Sequence, residues 1–193
     1  MIESFSGKLA DYFSNNGYID ESQKTVYKYG TVIAIQSALN IVSTLLIGLV
    51  FRLFFENLCF FLVFRLIRRF SGGFHCDSFP VCFLLSVTVN IVILTSFPLL
   101  ITYLDGKAII TIEVISSILI IIFSPISHTN KQISKKESKV YRFIISIICI
   151  LVLVCSAFLT KQNSPFAFSL CVAVETACVL LIMGKVQSCV QKK

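Results

Sequence analysis

A histidine and a cysteine seven residues apart, His75 and Cys82, stand in the stretch RRFSGGFHCDSFPVC, residues 68–82, which crowds charge, glycine, proline and thiols between two apolar runs. An imidazole that takes the proton of a thiol makes it a nucleophile, and this pairing is a recurring unit of covalent catalysis. Gly72 and Gly73 predict the end of a helix near Arg69, Ser78 has the chemistry of an N-cap, and Pro80 suits the first turn of the helix that follows. Cys82 then falls in or beside that first turn, where unpaired backbone N–H groups favour a thiolate. A continuous helix over 75–82 would hold the two side chains about 10.5 Å apart along its axis, too far for proton transfer. The glycines and the proline allow a fold-back instead. Spacing alone also permits a plainer reading, with His75 a solvated loop residue and Cys82 one more packing cysteine. Asp77 could orient His75, although two residues along the chain is an awkward reach, and Cys76 offers a second thiol outside the helix start.

The elements that must position this stretch are membrane helices. The chain has 193 residues, 56% hydrophobic and 14% charged, with mean hydropathy +0.87, against about 25% charged in soluble domains. Residues 29–51, 78–104, 143–160 and 162–184 contain no Asp, Glu, Lys or Arg, and about 18–20 apolar residues cross a bilayer. Residues 108–130 form a fifth run, interrupted by Glu113. The segment between Arg52 and Arg65, with Glu56 inside it, reads as a short sixth helix tightly turned from the first, its charges near the interface. Ile2, Phe5, Leu9 and Tyr12 or Phe13 recur at helical spacing with Lys8 and Asp11 between them, a pattern for a helix lying in the membrane surface or capping the bundle. The first residues lack the cleavage pattern of a secretory signal. The expected fold is therefore all-α: a polytopic integral membrane helical bundle of about six transmembrane helices after an amphipathic N-terminal helix. One domain covers 1–193, with 1–28 interfacial, 29–184 the bundle and 185–193 a cytoplasmic tail.

Lysine and arginine accumulate on the cytoplasmic side of inserted helices. Six crossings put the N-terminus, the 65–77 loop, the 127–142 loop and the C-terminus on one side, and these hold all but Arg52, Lys107 and Lys161 of the 17 basic residues. Both termini and the His75–Cys82 stretch are thus expected in the cytoplasm. The net charge of +7 is mainly this topological bias, and it also suits anionic lipid or an acidic substrate; it calls for no nucleic acid.

Cys59, Cys149, Cys155, Cys171 and Cys178 sit in apolar runs and Cys189 follows the last helix, with no C-x-x-C pair beside histidines. They read as small hydrophobes, and neither a metal nor another cofactor is expected. His128 reads as a polar loop residue. Glu56, Glu113 and Glu175 lie in or beside apolar runs, where an ionisable group is costly; a hydrogen bond inside the bundle or at a dimer contact accounts for them, as would a functional role.

The pattern Arg68, Gly73, His75, Cys82, or R-x-x-x-x-G-x-H-x-x-x-x-x-x-C, resembles the active-site region of the accessory gene regulator B (AgrB) family. FSPISHTNKQIS, residues 123–134, resembles that family's proline-containing entry into a lysine-rich cytoplasmic loop, with Lys131 on a matching lysine, and Glu175 fits a glutamate in the last helix. Ser124 stands where alanine is usual, and Cys76 where a small residue is usual. The resemblance covers nearly the whole chain and implies a membrane cysteine endopeptidase of the Gram-positive cytoplasmic membrane, active on its cytoplasmic side, with His75 as general base and Cys82 as nucleophile. It implies as substrate an AgrD-like quorum-sensing precursor with an amphipathic N-terminal helix and an acidic C-terminal tail, trimmed through a Cys82 thioester and cyclised to a thiolactone or lactone. Arg68, Arg69, Gly73, Lys131 and Glu175 would support substrate or site, Lys135, Lys136 and Lys139 would guide the acidic tail, and a homodimer is implied. The competing reading is a small peptide transporter or exporter without proteolytic activity. That would need polar residues along a path across the membrane, whereas the polar chemistry here gathers at one face. A non-catalytic membrane adaptor is a third reading.

The charge bias sets a labelling pattern. An impermeant thiol reagent applied to intact cells should reach a single cysteine placed at Lys107 or Lys161 and should miss one at Cys76 or Cys189; labelling of Cys76 from outside would invert the topology.

Overall fold

The structure, a computed structural model, describes residues 2–74, 78–126 and 134–190. The described residues are helical, with no strand among them. Seven α-helices follow in order: α1 (Ile2–Asn15), α2 (Lys24–Val50), α3 (Phe54–Ser71), α4 (Phe79–Tyr103), α5 (Gly106–Phe123), α6 (Lys135–Lys161) and α7 (Pro165–Val190). The chain divides into two compact units, Met1–Ser43 and Thr44–Lys193.

In the first unit the amphipathic segment forms α1, tied to the start of α2 by an ion pair of 2.6 Å between Lys24 Nζ and Asp11. Its small residues Ser6 and Ala10 are the buried ones, whereas Phe5 and Tyr12 are 58% and 59% exposed. Of the expected apolar stripe, Phe5 and Tyr12 point outward, as on a helix bound at a membrane surface, while Ile2, Leu9 and Phe13 are half-buried.

In the second unit, α7 is the central helix, packed on α3, α5 and α6 and touching α4. It is apolar nearly all round, with one face in the core and Val179, Ile182, Met183 and Val186 exposed on the other. Ala173, Val174, Ala177 and Leu181 of α7 have no exposed surface, and Ile67, Ile120 and Ile145 bring α3, α5 and α6 against the same core. A smaller cluster joins Phe97 of α4 and Ile109 of α5 to Phe168 and Cys171 of α7, with the Phe97 and Phe168 rings edge-to-face at 4.9 Å. Outward apolar side chains such as Leu84, Leu99, Val154 and Phe158 are at home in hydrocarbon.

Among the described residues five segments are long and apolar enough to span a bilayer: Glu21–Val50, Phe79–Tyr103, Gly106–Phe123, Lys136–Lys161 and Pro165–Ser188. The sixth expected helix is α3, present where the sequence placed it but not among the five, since its 18 residues include Glu56, Arg65, Arg68 and Arg69. Arg52, at φ 58°, makes the tight turn from α2. The fifth run stops at Phe123, short of the 108–130 window, because the residue before Pro125 is driven out of the α region. Capping follows chemistry: Asp105 Oδ1 accepts from the Ala108 N–H at 2.8 Å, and Ser134 and Glu137 close a reciprocal capping box at the start of α6. The last helix runs past residue 184 to Val190.

One buried polar clasp joins the end of α2, the start of α3 and the middle of α4. The Asn57 and Asn90 amides pair with each other, at 2.9 Å from Asn90 Nδ2 to Asn57 Oδ1, and Asn57 Nδ2 also donates to the Thr44 carbonyl at 2.7 Å. Gly48 leaves the room, since a Cβ there would stand 2.9 Å from Asn57 Nδ2. Asn57→Ala should destabilise the protein by about 1–2 kcal/mol, the cost of an amide left unpaired in a bundle. Detergent or urea unfolding would show it, and a cycle with Asn90→Ala should be strongly non-additive; additivity would mean the pair is not coupled.

Candidate active site

The end of α3 is set by a glycine in a backbone state other residues avoid. Gly72 follows Ser71 with φ 74°, ψ −151°, and its N–H still reaches the Arg68 carbonyl at 3.1 Å. Gly73 has φ 134°, so both glycines predicted to stop the helix do so through conformations that favour glycine. Arg68 then turns back over the segment it precedes, donating through Nη1 to the Gly72 carbonyl at 3.0 Å and through Nη2 to the Phe74 carbonyl at 2.8 Å. A Cβ on Gly73 would collide with Arg68 Nη1. Glycine at 73 and arginine at 68 are therefore one device.

The other side of this segment rests on α7. The Phe74 N–H donates to the Leu180 carbonyl at 2.8 Å, and a Cβ on Gly184 would lie 2.5 Å from both the Gly73 carbonyl carbon and the Phe74 nitrogen. Only a glycine at 184 lets the backbones approach this closely. A third strap comes from the segment after α5, where the Ile126 N–H donates to the Ser71 carbonyl at 3.1 Å. Arg142 of α6 in turn holds the Ser124 carbonyl through Nε and Nη2, both at 3.1 Å.

Cys82 lies in the first turns of α4, as its spacing from Pro80 predicts. Its own N–H makes the opening helical bond to the Ser78 carbonyl at 3.2 Å, so the unpaired donors are those of the residues before it. Ser78 occupies the N-cap position in an extended conformation, but its hydroxyl makes no capping bond. Cys82 is a free, half-buried thiol, close enough to Arg68 for the guanidinium to respond to its charge.

The remaining predicted residues divide. Arg69 is exposed, its guanidinium 5.9 Å from the Phe70 ring centroid. Glu175 is not at this end; it lies deeper in α7, beside Ser116 of α5. His75, Cys76, Asp77, His128 and Lys131 fall outside the described residues, as do Lys192 and Lys193. Leu180, Gly184, Ile126 and Arg142 were not singled out by the sequence. Gly184 had a signal, a glycine inside an apolar helix pattern, which marks close backbone approach when it is not an end. Among the described residues no three His, Cys, Asp or Glu side chains group as metal ligands. Exposed cations ring this end: Arg65, Arg69, Lys136, Lys139, Arg142 and Lys185, the last 4.0 Å over the Phe123 ring.

Two substitutions test the straps. Gly184→Ala should raise amide hydrogen exchange at Phe74 by more than about tenfold, the loss of a bond worth roughly 1.4 kcal/mol, while the α6–α7 core stays protected. Arg68→Lys, with no planar fork to span two carbonyls, should loosen residues 72–74 in the same measurement. Unchanged exchange in both variants would mean that these contacts do not hold the segment.

Known proteins place the chain. The family model for accessory gene regulator B matches residues 6–183. A putative AgrB-like protein 2 of Clostridium perfringens (strain 13 / Type A) is 30% identical over 147 residues, covering 72% of this chain and 67% of that one. An accessory gene regulator protein B of Staphylococcus haemolyticus (strain JCSC1435) is 24% identical over 183 residues, 94% of this chain and 95% of that one. No solved structure matches. The chain belongs to the accessory gene regulator B family, with a part in accessory gene regulator quorum-sensing peptide processing.

Proposed function

We propose that this protein is a membrane-embedded cysteine endopeptidase that cuts the C-terminal tail from an AgrD-like precursor and promotes its cyclisation. The carrying observation is the fixed approach to His75: Phe74, its neighbour in the chain, is bound on one side by Arg68 and on the other by α7. A general base must be held within hydrogen-bond reach of the proton it takes, and three straps on residues 71–74 are a means of holding it.

The chemistry closes on these residues. His75 takes the Cys82 proton and the sulfur attacks the scissile carbonyl carbon. The C–N bond breaks, the imidazolium gives its proton to the departing amine, and the tail leaves with a free N-terminus. The remaining peptide is a thioester on Cys82. A cysteine thiol of the precursor loses its proton to His75 and attacks that thioester, forming the ring thioester and returning Cys82 as a thiol. One thioester replaces another, so most of the acyl bond energy is kept and no ATP is needed at that step. Arg68 fixes the loop. The exposed cations at this end suit an acidic tail and raise its local concentration. On this reading the active site lies on the cytoplasmic side, and a homodimer is part of the proposal.

Cys82→Ala and His75→Ala should each abolish precursor cleavage while the protein still inserts, and Cys76→Ala should leave cleavage largely intact. A precursor whose ring cysteine is replaced by Ala should be cut once and then persist as an adduct, because only water can accept the acyl group. Intact mass should show the protein heavier by the trimmed precursor, and hydroxylamine should remove the addition. Turnover of that precursor at the wild-type rate, to a linear acid without an adduct, would leave simple endopeptidase as the better name; full activity of Cys82→Ala would remove the assignment altogether.

A further inference from the structure

The bundle satisfies its buried amides, as the Asn57–Asn90 pair shows, yet leaves a set of buried oxygens in its middle without partners. Glu113 of α5 is 0% exposed and neither carboxylate oxygen is hydrogen-bonded; Ser156 of α6 is 0% exposed and Ser117 of α5 2% exposed, both with unpartnered hydroxyls, and Glu175 Oε1 of α7 is unpartnered too. These atoms form one neighbourhood. Ser116 and Ser117 stand three and four residues after Glu113, on its face of the helix. Ser156 faces Glu113 from α6 without closing an ordinary hydrogen bond, Glu175 faces Glu113 from α7, and Ser116 borders Glu175.

Among the described residues no basic side chain stands against Glu113 or Glu175. The basic side chains of α5, α6 and α7, among them Lys107, Arg142, Lys161 and Lys185, stand towards the helix ends. The other neighbours are the Cys149, Cys171 and Cys178 thiols, and the Cys171 Sγ is engaged with the Ile109 carbonyl at 3.6 Å. Unpaired carboxylate in such a place is among the costliest arrangements a membrane protein can hold.

We propose that Glu113 and Glu175, with the hydroxyls of Ser116, Ser117 and Ser156, form a buried binding site for a small monovalent cation of sodium's size. Carboxylate and hydroxyl oxygens without nitrogen are a hard donor set. A proton on one carboxyl and a metal ion against the other carboxylate together leave the centre neutral, and the ion gathers several of the oxygens at once. Magnesium keeps several waters, and calcium takes about 6–8 oxygens, against the five unpartnered ones at this centre. The ion would bridge α5, α6 and α7. Glu175 is five residues before Leu180, about 7.5 Å along α7, so the site lies beneath the carbonyl that docks Phe74. It does not depend on the peptidase reading.

The test uses the full-length protein in detergent or nanodiscs. Wild type should retain radioactive sodium-22 saturably, displaced by unlabelled sodium and not by choline, and its thermal stability should rise with NaCl more than with KCl or choline chloride at equal ionic strength. Glu113→Gln should lower sodium affinity by more than about tenfold, the range for lost support at a metal site. Wild type that retains no label, or that responds alike to all three salts, overturns the proposal and leaves protons as the neutralising partner; that result stands even if the glutamine variant fails to fold.

Discussion

Everything at the candidate site hangs on one close approach, that of Gly184 in α7 to Gly73 and Phe74. The Leu180 carbonyl accepts from Phe74 only because no side chain stands on residue 184. Once the backbones touch there, Gly73 must turn with positive φ, Arg68 finds two carbonyls at the spacing of its fork, and Ser71 presents its carbonyl to Ile126. The contact links the most buried helix of the bundle to the residue before His75. A loop strapped to the central helix inherits the rigidity of that helix, which a loop resting on a lipid-facing helix would not.

The sequence was most legible where one residue type has one physical use. Charge-free runs announced the spanning helices, two adjacent glycines the end of α3, and Pro80 the start of α4. Legibility failed where a partner lies far along the chain. Glu175 lies well down α7, beside Ser116 of α5, a depth that periodicity does not give. Arg68 takes its partners from the loop it precedes, a fold-back that spacing does not show. Leu180 contributes a backbone carbonyl, which any residue type carries, so no sequence signal could have named it.

α3 shows why counting spans by hydropathy and describing a bundle differ. Its charges exclude it from the apolar spans, yet Ile67 is completely buried and the helix packs on both α6 and α7. Three of those charges, Arg65, Arg68 and Arg69, fall in its last two turns, where cations complement the helix dipole and where the straps to α7 begin. The same residues that lower its hydropathy build the site.

α4 is held very differently from the loop that faces it. Phe97 packs on Phe168 towards its far end and Asn90 is clasped to Asn57 at its middle, but none of residues 78–89 is buried. The half of α4 that carries Cys82 therefore has one side open, while residues 71–74 are bound on three sides. On the proposed peptidase reading this asymmetry has a use: the base must stay fixed relative to the reacting proton, whereas the nucleophile must be approached by a peptide that arrives from outside the bundle. Had the thiol been placed on α7 and the base on α4, the only rigid part of the site would also have been the part that substrate could not reach.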